Sequence, residues 1–407
     1  MPDTASWAAR LGGDQFLART LHRSHLVIPG DPADVAGLLS WDDLNSILST
    51  HRLEPPRLRL SADGETLPAH RYATATTNRR AATWHRLQPA DLHARLAEGA
   101  SLVLDAIDEI HPPIRSAAED LERFVGTPVQ ANAYASWTKR EGFGTHWDDH
   151  DVVVVQLDGA KRWRLYGPTR TAPTWRDVEA PAEPTGEPIA DLVLTAGDML
   201  YLPRRWWHAV TADQGSESLH LTFGLVSHTG ADLLGWVVDL LRADAALRLD
   251  VPRFAPADDQ AAYVSALRRA VVSELDDPEL PARWAESLDT THGGRQAPSL
   301  PFVIGLPTPR SEDGETITRR VKVVLTAPRA RLTRNQTTGT VTLAGAGTAW
   351  AGRPPSRSAP TGARTPGPAS APPSRNSCGC SRPASPTRPP AGAWACRHAA
   401  SAARWPG

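Results

Sequence analysis

Cysteine is the residue type that this sequence most clearly lacks. The chain has three cysteines, and all of them lie beyond residue 377. A disulfide framework or a cysteine metal site is therefore excluded from the rest of the chain. Any metal bound there must be held by His, Asp or Glu.

Long apolar runs and an excess of charge are also missing. No run is long enough to cross a bilayer, and residues 1–4 begin neither a basic nor an apolar targeting segment. The formal net charge is only -1, so nothing in the overall balance indicates nucleic acid or a membrane surface as a partner. We therefore expect a cytoplasmic protein without membrane contact.

Aliphatic residues stop abruptly towards the end of the chain. After Leu343 there is no Leu, Ile, Val, Met or Phe. A segment of that composition cannot bury enough apolar area to offset the entropy lost on ordering. We expect residues 345–407 to be a disordered or non-native tail.

The residues before this tail divide into blocks. Residues 1–88 are predicted to form a mixed α/β region, and residues 89–230 hold many short strands separated by turn signals, a pattern typical of a sandwich or barrel. Residues 231–299 carry apolar stripes at helical spacing, which suit either a dimer interface or an ordinary packing layer. Residues 300–344 contain further strand-like pieces.

The stretch Thr145–Asp151 carries the strongest chemical signal. Read as extended chain, His146 and Asp148 project from one face, and His208 follows at the end of another predicted strand. Two imidazoles and one carboxylate form the facial triad that binds iron(II) and leaves coordination positions open. His150 shares the face of His146 and Asp148 and is a competing ligand. We discount it because the three positions span roughly 13 Å of strand.

Asp149 and Asp151 point the other way in this reading, so we expect them to be turn residues or groups that support the ligands.

Two neighbouring strands offer polar groups to such a site. Asp158-Gly159 predicts a hairpin turn, and in the strand that follows, Lys161 shares its face with Trp163 and Leu165. That parity favours an inward lysine that needs an anion, although a surface lysine is the more common case. The strand 129–137 has one small apolar face and one polar face, which faces either a cavity or, more commonly, solvent.

These motifs resemble the JmjC branch of the cupin superfamily, specifically the bacterial cupin proteins similar to ribosomal oxygenases. The resemblance runs from about Asp14 to about Leu343. It is most specific in five segments: Asn132-Ala133-Tyr134, His146-Trp147-Asp148-Asp149-His150-Asp151, Gln156-Leu157-Asp158-Gly159-Ala160-Lys161-Arg162-Trp163, Leu202-Pro203-Arg204-Arg205-Trp206-Trp207-His208 and Ser218-Leu219-His220-Leu221-Thr222.

The resemblance implies a fold that is mainly β with helices. Its core is expected to be a double-stranded β-helix (a cupin or jelly-roll barrel) over residues 89–230, with residues 1–88 packed on it. A helical, dimerising region over 231–299 and a partial winged-helix-like region over 300–344 would follow.

The resemblance also implies ligands and roles. His146, Asp148 and His208 would bind Fe(II), and no catalytic residue is expected beyond these ligands. Lys161 would bind the distal carboxylate of 2-oxoglutarate, while Asn132 and Tyr134 would line its pocket. O₂ is the other co-substrate, and a protein or peptide side chain, possibly ribosomal, would be hydroxylated.

Two other functions stay open. One is a metal-binding cupin with isomerase or hydrolytic chemistry, and the other is a non-catalytic barrel that binds a protein.

Overall fold

The computed structural model describes residues 6–138, 142–172, 182–212 and 217–291, and the backbone of three strands between residues 331 and 352. No helix among these residues is both long and apolar enough to cross a membrane.

The leading region mixes short helices and strands, as predicted. A capping box in which Ser40 and Asp43 bond each other's backbone N–H groups starts its longest helix. The elements are α1 (Trp7–Leu11), α2 (Gly13–Arg19), β1 (Leu26–Ile28), α3 (Trp41–Thr50), β2 (Leu58–Ala62), β3 (Glu65–Thr66), β4 (Ala73–Thr77) and β5 (Thr83–Leu87).

The central region supplies the rest of the barrel and the helices that cover it. Its elements are α4 (Pro89–Ala97), β6 (Ser101–Leu104), α5 (Pro112–Val125), β7 (Val129–Ser136), β8 (Asp151–Gly167), β9 (Ala190–Thr195), β10 (Met199–Leu202), β11 (Trp207–Ala212) and β12 (Ser218–Leu225).

The strand β8 belongs to two antiparallel sheets. Its first half lies between β10 and β12 in a sheet of order β1-β10-β8-β12-β7-β6-β2-β3. Its second half pairs with β9 and β11. The two sheets enclose the barrel interior, and the expected fold class, mainly β with a jelly-roll core and added helices, is confirmed.

The hairpin predicted at Asp158-Gly159 is wrong, because the chain continues through both residues as one strand. Gly159 has a φ of +66°, and a Cβ added there would lie 1.8 Å from the carbonyl oxygen of Glu217. The pairing of β8 with β12 also shifts register between Leu219 and His220. Asp158-Gly159 is therefore a bend, next to a bulge of β8 at Leu157, where β8 passes from one sheet to the other.

The four valines that begin β8 show where the core lies. Val153 and Val155 pack in a core cluster with the helices, while Val152 and Val154 pack with Trp163 and Leu165 in a second cluster. Because this part of the sheet is covered on both faces, the strand reads as a continuous apolar run instead of alternating.

Helices and three further strands follow the barrel. The elements are α6 (Gly230–Leu241), α7 (Ala245–Arg248), α8 (Ala257–Leu275), α9 (Leu280–Thr291), β13 (Arg331–Arg334), β14 (Val341–Gly345) and β15 (Thr348–Gly352). β13, β14 and β15 form one antiparallel sheet. β15 lies inside the expected disordered segment 345–407, so that boundary is drawn too early. Residues 300–330, part of the region where strand-like pieces are expected, and the chain beyond 352 lie outside the described residues.

Candidate metal centre and adjoining cavity

The structure brings His146 and His208 side by side. They form an isolated antiparallel bridge: His146 N–H donates to the carbonyl of His208 at 3.0 Å, and His208 N–H donates back at 2.7 Å. The ring centroids are 4.3 Å apart. His208 lies in β11, whereas His146 lies in the segment before β8, which is not a strand. The predicted strand through residues 146–150 is therefore wrong, although the pairing it was meant to explain is present.

Asp148 completes a compact cluster. Its backbone carbonyl accepts a hydrogen bond from Arg205 N–H at 2.7 Å, which ties the two ligand-bearing segments together. Its Oδ2 lies 3.6 Å from His208 Nε2, and ligand atoms of His146, Asp148 and His208 all lie within 4.8 Å of one another. With metal–ligand bonds of about 2.1 Å, such atoms can share one ion after small side-chain movements.

Both imidazoles have the tautomer that a metal ligand needs. Nδ1 of His146 lies 3.0 Å from the carbonyl oxygen of Gly144, and Nδ1 of His208 lies 2.9 Å from that of Trp206. A carbonyl oxygen only accepts hydrogen bonds, so Nδ1 of each ring carries the proton. The lone pair of each Nε2 is then available to a metal. Two imidazoles and one carboxylate on one side of an ion fit Fe(II).

His150 is not part of this cluster. Its Nδ1 lies 3.1 Å from Asp149 Oδ1, and its ring packs on Gly224 of β12. A Cβ added at Gly224 would lie 2.7 Å from the ring. The glycine therefore leaves the room that His150 occupies beside the sheet.

Asp151 is the buried carboxylate that anchors the cluster's surroundings. It accepts hydrogen bonds from the Tyr201 hydroxyl and from Arg204 N–H at 2.9 Å, and it pairs with His22 Nδ1 at 2.7 Å. Burial alone would raise the pKa of Asp151, but these partners outweigh burial and hold the pKa below its ordinary value. Asp151 thereby joins β8, β10 and the segment before His208.

A cavity of about 200 Å³ opens beside the cluster. Its wall contains polar groups from several strands and from the segment before β8. The lining residues are Arg59, Ser101, Tyr134, Gly142, Phe143, His146, Asp148, Lys161, His208, Val210, His220 and Thr222.

Lys161 is the buried cation of this cavity. Only 6% of the residue is exposed, and its Nζ donates to Ser136 Oγ at 2.6 Å. Burial lowers the pKa of Lys161 to about 8. The inward parity predicted for Lys161, Trp163 and Leu165 is present, because β8 continues through the bend.

Tyr134 and Asn132 take different places. Tyr134 lines the cavity and stacks on His220 at 4.9 Å, and burial raises its pKa to about 12. Asn132 does not line the cavity. Its Oδ1 accepts from the Ala106 N–H at 2.9 Å, and its side chain hydrogen-bonds Tyr134. It therefore holds Tyr134 in position.

The second half of the polar face of β7 looks into the barrel, since Tyr134 lines the cavity and Ser136 accepts from its lysine, whereas Gln130 at the start of the strand is exposed. The cavity is therefore the correct interpretation for that half of the strand. The sequence analysis assigns no role to Arg59, Ser136 or His220. His220 could have been found, because it is an imidazole in the middle of an otherwise apolar strand.

Arg59 comes from the leading region and is held by Asp105. Nε lies 2.9 Å from one carboxylate oxygen and Nη2 lies 3.3 Å from the other. Its guanidinium also lies over the ring of Phe143, 5.6 Å from the centroid. Arg59 thus forms a second, fixed cation in the cavity wall.

Comparison with known proteins places this site in a domain family. The profile of the JmjC domain matches residues 109–233. The bifunctional lysine-specific demethylase and histidyl-hydroxylase NO66 of Drosophila persimilis is 34% identical over 137 residues, which is 34% of this chain and 20% of that protein. Ribosomal oxygenase 2 of Rattus norvegicus is 38% identical over 142 residues, which is 33% of this chain and 30% of that protein. The chain thus spans less than a third of either relative.

Solved structures align with most of this chain at low sequence identity. An X-ray structure of E. coli ycfD aligns with 83% of this chain and 85% of its own, with a TM-score of 0.48 and 18% identity. A second structure, of YcfD as a ribosomal oxygenase in complex with cobalt and 2-oxoglutarate, has a TM-score of 0.47 and 17% identity, covering 84% and 85% of the two chains.

The JmjC domain predicted from the sequence motifs is confirmed by the profile match over residues 109–233. That segment carries the cluster of His146, Asp148 and His208 and most of the cavity wall.

Proposed function

We propose that this protein is an Fe(II)- and 2-oxoglutarate-dependent oxygenase that hydroxylates a protein or peptide side chain. The observation that carries the proposal is the sharing of one cavity by a two-histidine, one-carboxylate cluster and a buried lysine. His146, Asp148 and His208 would hold the metal, and Lys161 would bind the far carboxylate of the co-substrate.

The size and charge of the cavity support a small dianion. Its volume of about 200 Å³ is below the roughly 300–1,000 Å³ of sites for drug-sized ligands. Lys161 donates a hydrogen bond to the neutral hydroxyl of Ser136, so an incoming carboxylate would add a charge-assisted hydrogen bond. Arg59 is already hydrogen-bonded to Asp105. Its main contribution to anion binding is therefore the positive electrostatic potential of its charge.

The residues of the chain have distinct tasks in this proposal. Fe(II) with 2-oxoglutarate and O₂ supplies the oxidising chemistry when bound. His146 and His208 keep Nε2 available through their Nδ1 hydrogen bonds to carbonyls. Tyr134, positioned by Asn132, and the neighbouring Phe143 narrow the cavity and exclude water. The lowered pKa of Lys161 still leaves it mostly protonated at neutral pH.

A protein substrate is proposed from the relatives. Their names describe a lysine-specific demethylase and histidyl-hydroxylase, and a ribosomal oxygenase, which favours an amino-acid side chain of a protein as the substrate. We also infer a cytoplasmic location from the sequence alone.

Succinate release tests the oxygenase. Purified protein with Fe(II) and 2-oxoglutarate should form succinate, and Asp148→Ala should lower that release at least a hundredfold because one of three ligands is lost. Asp149→Ala is the matched control, since this half-exposed carboxylate is adjacent in sequence but outside the cluster. Equal release from the wild type and Asp148→Ala would contradict the proposal. Bound zinc without any turnover would instead favour a cupin with other chemistry.

We further propose that the helical region forms a homodimer through α6 and α8. Large apolar side chains are exposed on both helices, including Leu234, Val238, Val264 and Val272. Such an area on helices is more compatible with a second copy than with solvent. Light scattering after gel filtration should give twice the chain mass for the wild type and one chain mass for Val264→Asp. Ile189→Asp, an equally exposed position before β9, should leave the mass unchanged.

A further inference from the structure

A second groove, of about 630 Å³, lies beside the β4–β5 hairpin and shares no lining residue with the metal-cluster cavity. Its walls come from α3, β5 and α4. They contain two arginines, three histidines and one tryptophan, and no Asp or Glu: Arg52, Arg86, His51, His85, His93 and Trp84. The groove is therefore a cationic, hydrogen-bonding surface.

The hairpin itself extends this cationic surface. Between Thr66 and Ala90 the sequence has four arginines and no acidic residue. Arg79 and Arg80 lie at the exposed tip, where the Asn78 side chain accepts hydrogen bonds from the N–H groups of Arg80 and Ala82. Arg86 lies in β5, three residues after the strand begins at Thr83. A net charge of -1 for the whole chain conceals this local concentration.

An aromatic platform lies within the same surface. The Arg52 guanidinium lies over the Trp84 ring, 4.7 Å from its centroid. Trp84 pairs with Thr76 across the hairpin, so the strand fixes where the indole is presented. Flat π surfaces beside cations stack nucleobases while the cations contact phosphates.

From these observations we propose that the β4–β5 hairpin and its groove bind a single-stranded nucleic acid. The arginines would contact phosphates, and the Arg52–Trp84 pair would stack a base. An acidic peptide would satisfy the charges but would make no use of the aromatic platform. This surface is independent of the oxygenase chemistry proposed for the barrel.

Fluorescence anisotropy with the full chain tests the proposal, using labelled 12-nucleotide oligo(U), oligo(dT) and a labelled oligoglutamate. We expect saturable binding of at least one oligonucleotide, tighter than that of oligoglutamate. The comparison of oligo(U) with oligo(dT) distinguishes RNA from DNA. Trp84→Ala should weaken binding roughly 5- to 150-fold, the range expected for one lost base stack, whereas Trp84→Phe should retain most of the affinity.

The salt dependence locates the phosphates. Arg79→Ala with Arg80→Ala should reduce the slope of log K against log salt by about 1.4, at ~0.7 per phosphate contact. Arg268→Ala with Arg269→Ala removes the same charge from exposed positions on α8 and should leave the slope unchanged. Absence of saturable binding, equal loss in both double variants, or tighter binding of oligoglutamate would overturn the proposal.

Discussion

Replacing Lys161 with methionine should have opposite effects on co-substrate binding and on stability. The Lys161 pKa of about 8, lowered from 10.5 by burial, means that the folded protein holds this charge less readily than the unfolded chain does. The difference corresponds to roughly 3 kcal/mol against folding below pH 8. Methionine has a similar volume and no charge, so Lys161→Met should stabilise the ligand-free protein by up to about 3 kcal/mol.

Binding should change in the other direction. In Lys161→Met the far carboxylate of 2-oxoglutarate enters a buried site without a counter-charge, which costs ~2–5 kcal/mol. The KM for 2-oxoglutarate should therefore increase by a factor between about thirty and several thousand. Succinate release measures the KM, and urea unfolding measures the stability.

The pH dependence gives a further test at Lys161. The ammonium is the form that binds a carboxylate, and in the free protein it is lost as pH rises through about 8. The affinity for 2-oxoglutarate should thus fall above pH 8 in the wild type, by up to tenfold per pH unit. Lys161→Arg keeps its charge and should bind with an affinity independent of pH there. An unchanged KM in Lys161→Met, or a large loss of stability, would refute this reasoning.

Three other perturbations have defined outcomes. Asp151→Asn should lower the free energy of unfolding by ~2–5 kcal/mol, because a buried carboxylate with several donors is lost. In the wild type the stability that Asp151 contributes should be present above the ordinary carboxyl pKa and lost as the pH falls below it, since the pKa of Asp151 is lowered in the folded state. Urea unfolding at a series of acidic pH values measures this, and a free energy of unfolding that does not change with pH there would contradict it. Gly159→Ala should lower the free energy of unfolding by more than ~1 kcal/mol, because the added Cβ would clash with the Glu217 carbonyl and the backbone has a positive φ. Gly186→Ala should leave the free energy of unfolding unchanged, because a Cβ there meets nothing within 4 Å. Mn(II) should raise the melting temperature of the wild type and not that of Asp148→Ala, as binding to the folded state requires; equal shifts in calorimetry would speak against the cluster.

The order of motifs in the sequence was sufficient to predict the barrel and the cluster. The segments that carry His146, Asp148 and His208 are separated in the sequence by strongly apolar strands, and burying any of these polar side chains without a partner would be costly. Alternation also predicted the inward direction of Lys161 without knowledge of the strand's partners. These inferences depend on local pattern, which the sequence contains directly.

The errors arise where one local signal serves two structures. An Asp-Gly pair tolerates positive φ both in a hairpin turn and in a bent strand. The pair Asp158-Gly159 therefore does not by itself distinguish the two, and the predicted hairpin is wrong. The spacing of His146, Asp148 and His150 at every second residue is typical of a strand. In the structure this segment forms only an isolated β-bridge, between His146 and His208. Arg59 could not be assigned, because its place in the cavity depends on β2 and β6 extending the sheet beyond β7.

The hydrogen bond between His22 and Asp151 also bears on how much of this chain can be removed. The antiparallel pairing of β1 with β10 and the hydrogen bond from His22 N–H to the Tyr201 hydroxyl attach the same early segment to the barrel. A recombinant fragment that begins at residue 89 would lack β1, the strand that pairs with β10, and would lack His22, which hydrogen-bonds the buried carboxylate of Asp151. A shortened form of this protein should therefore keep the chain from before His22, although the first residue of the metal cluster is His146.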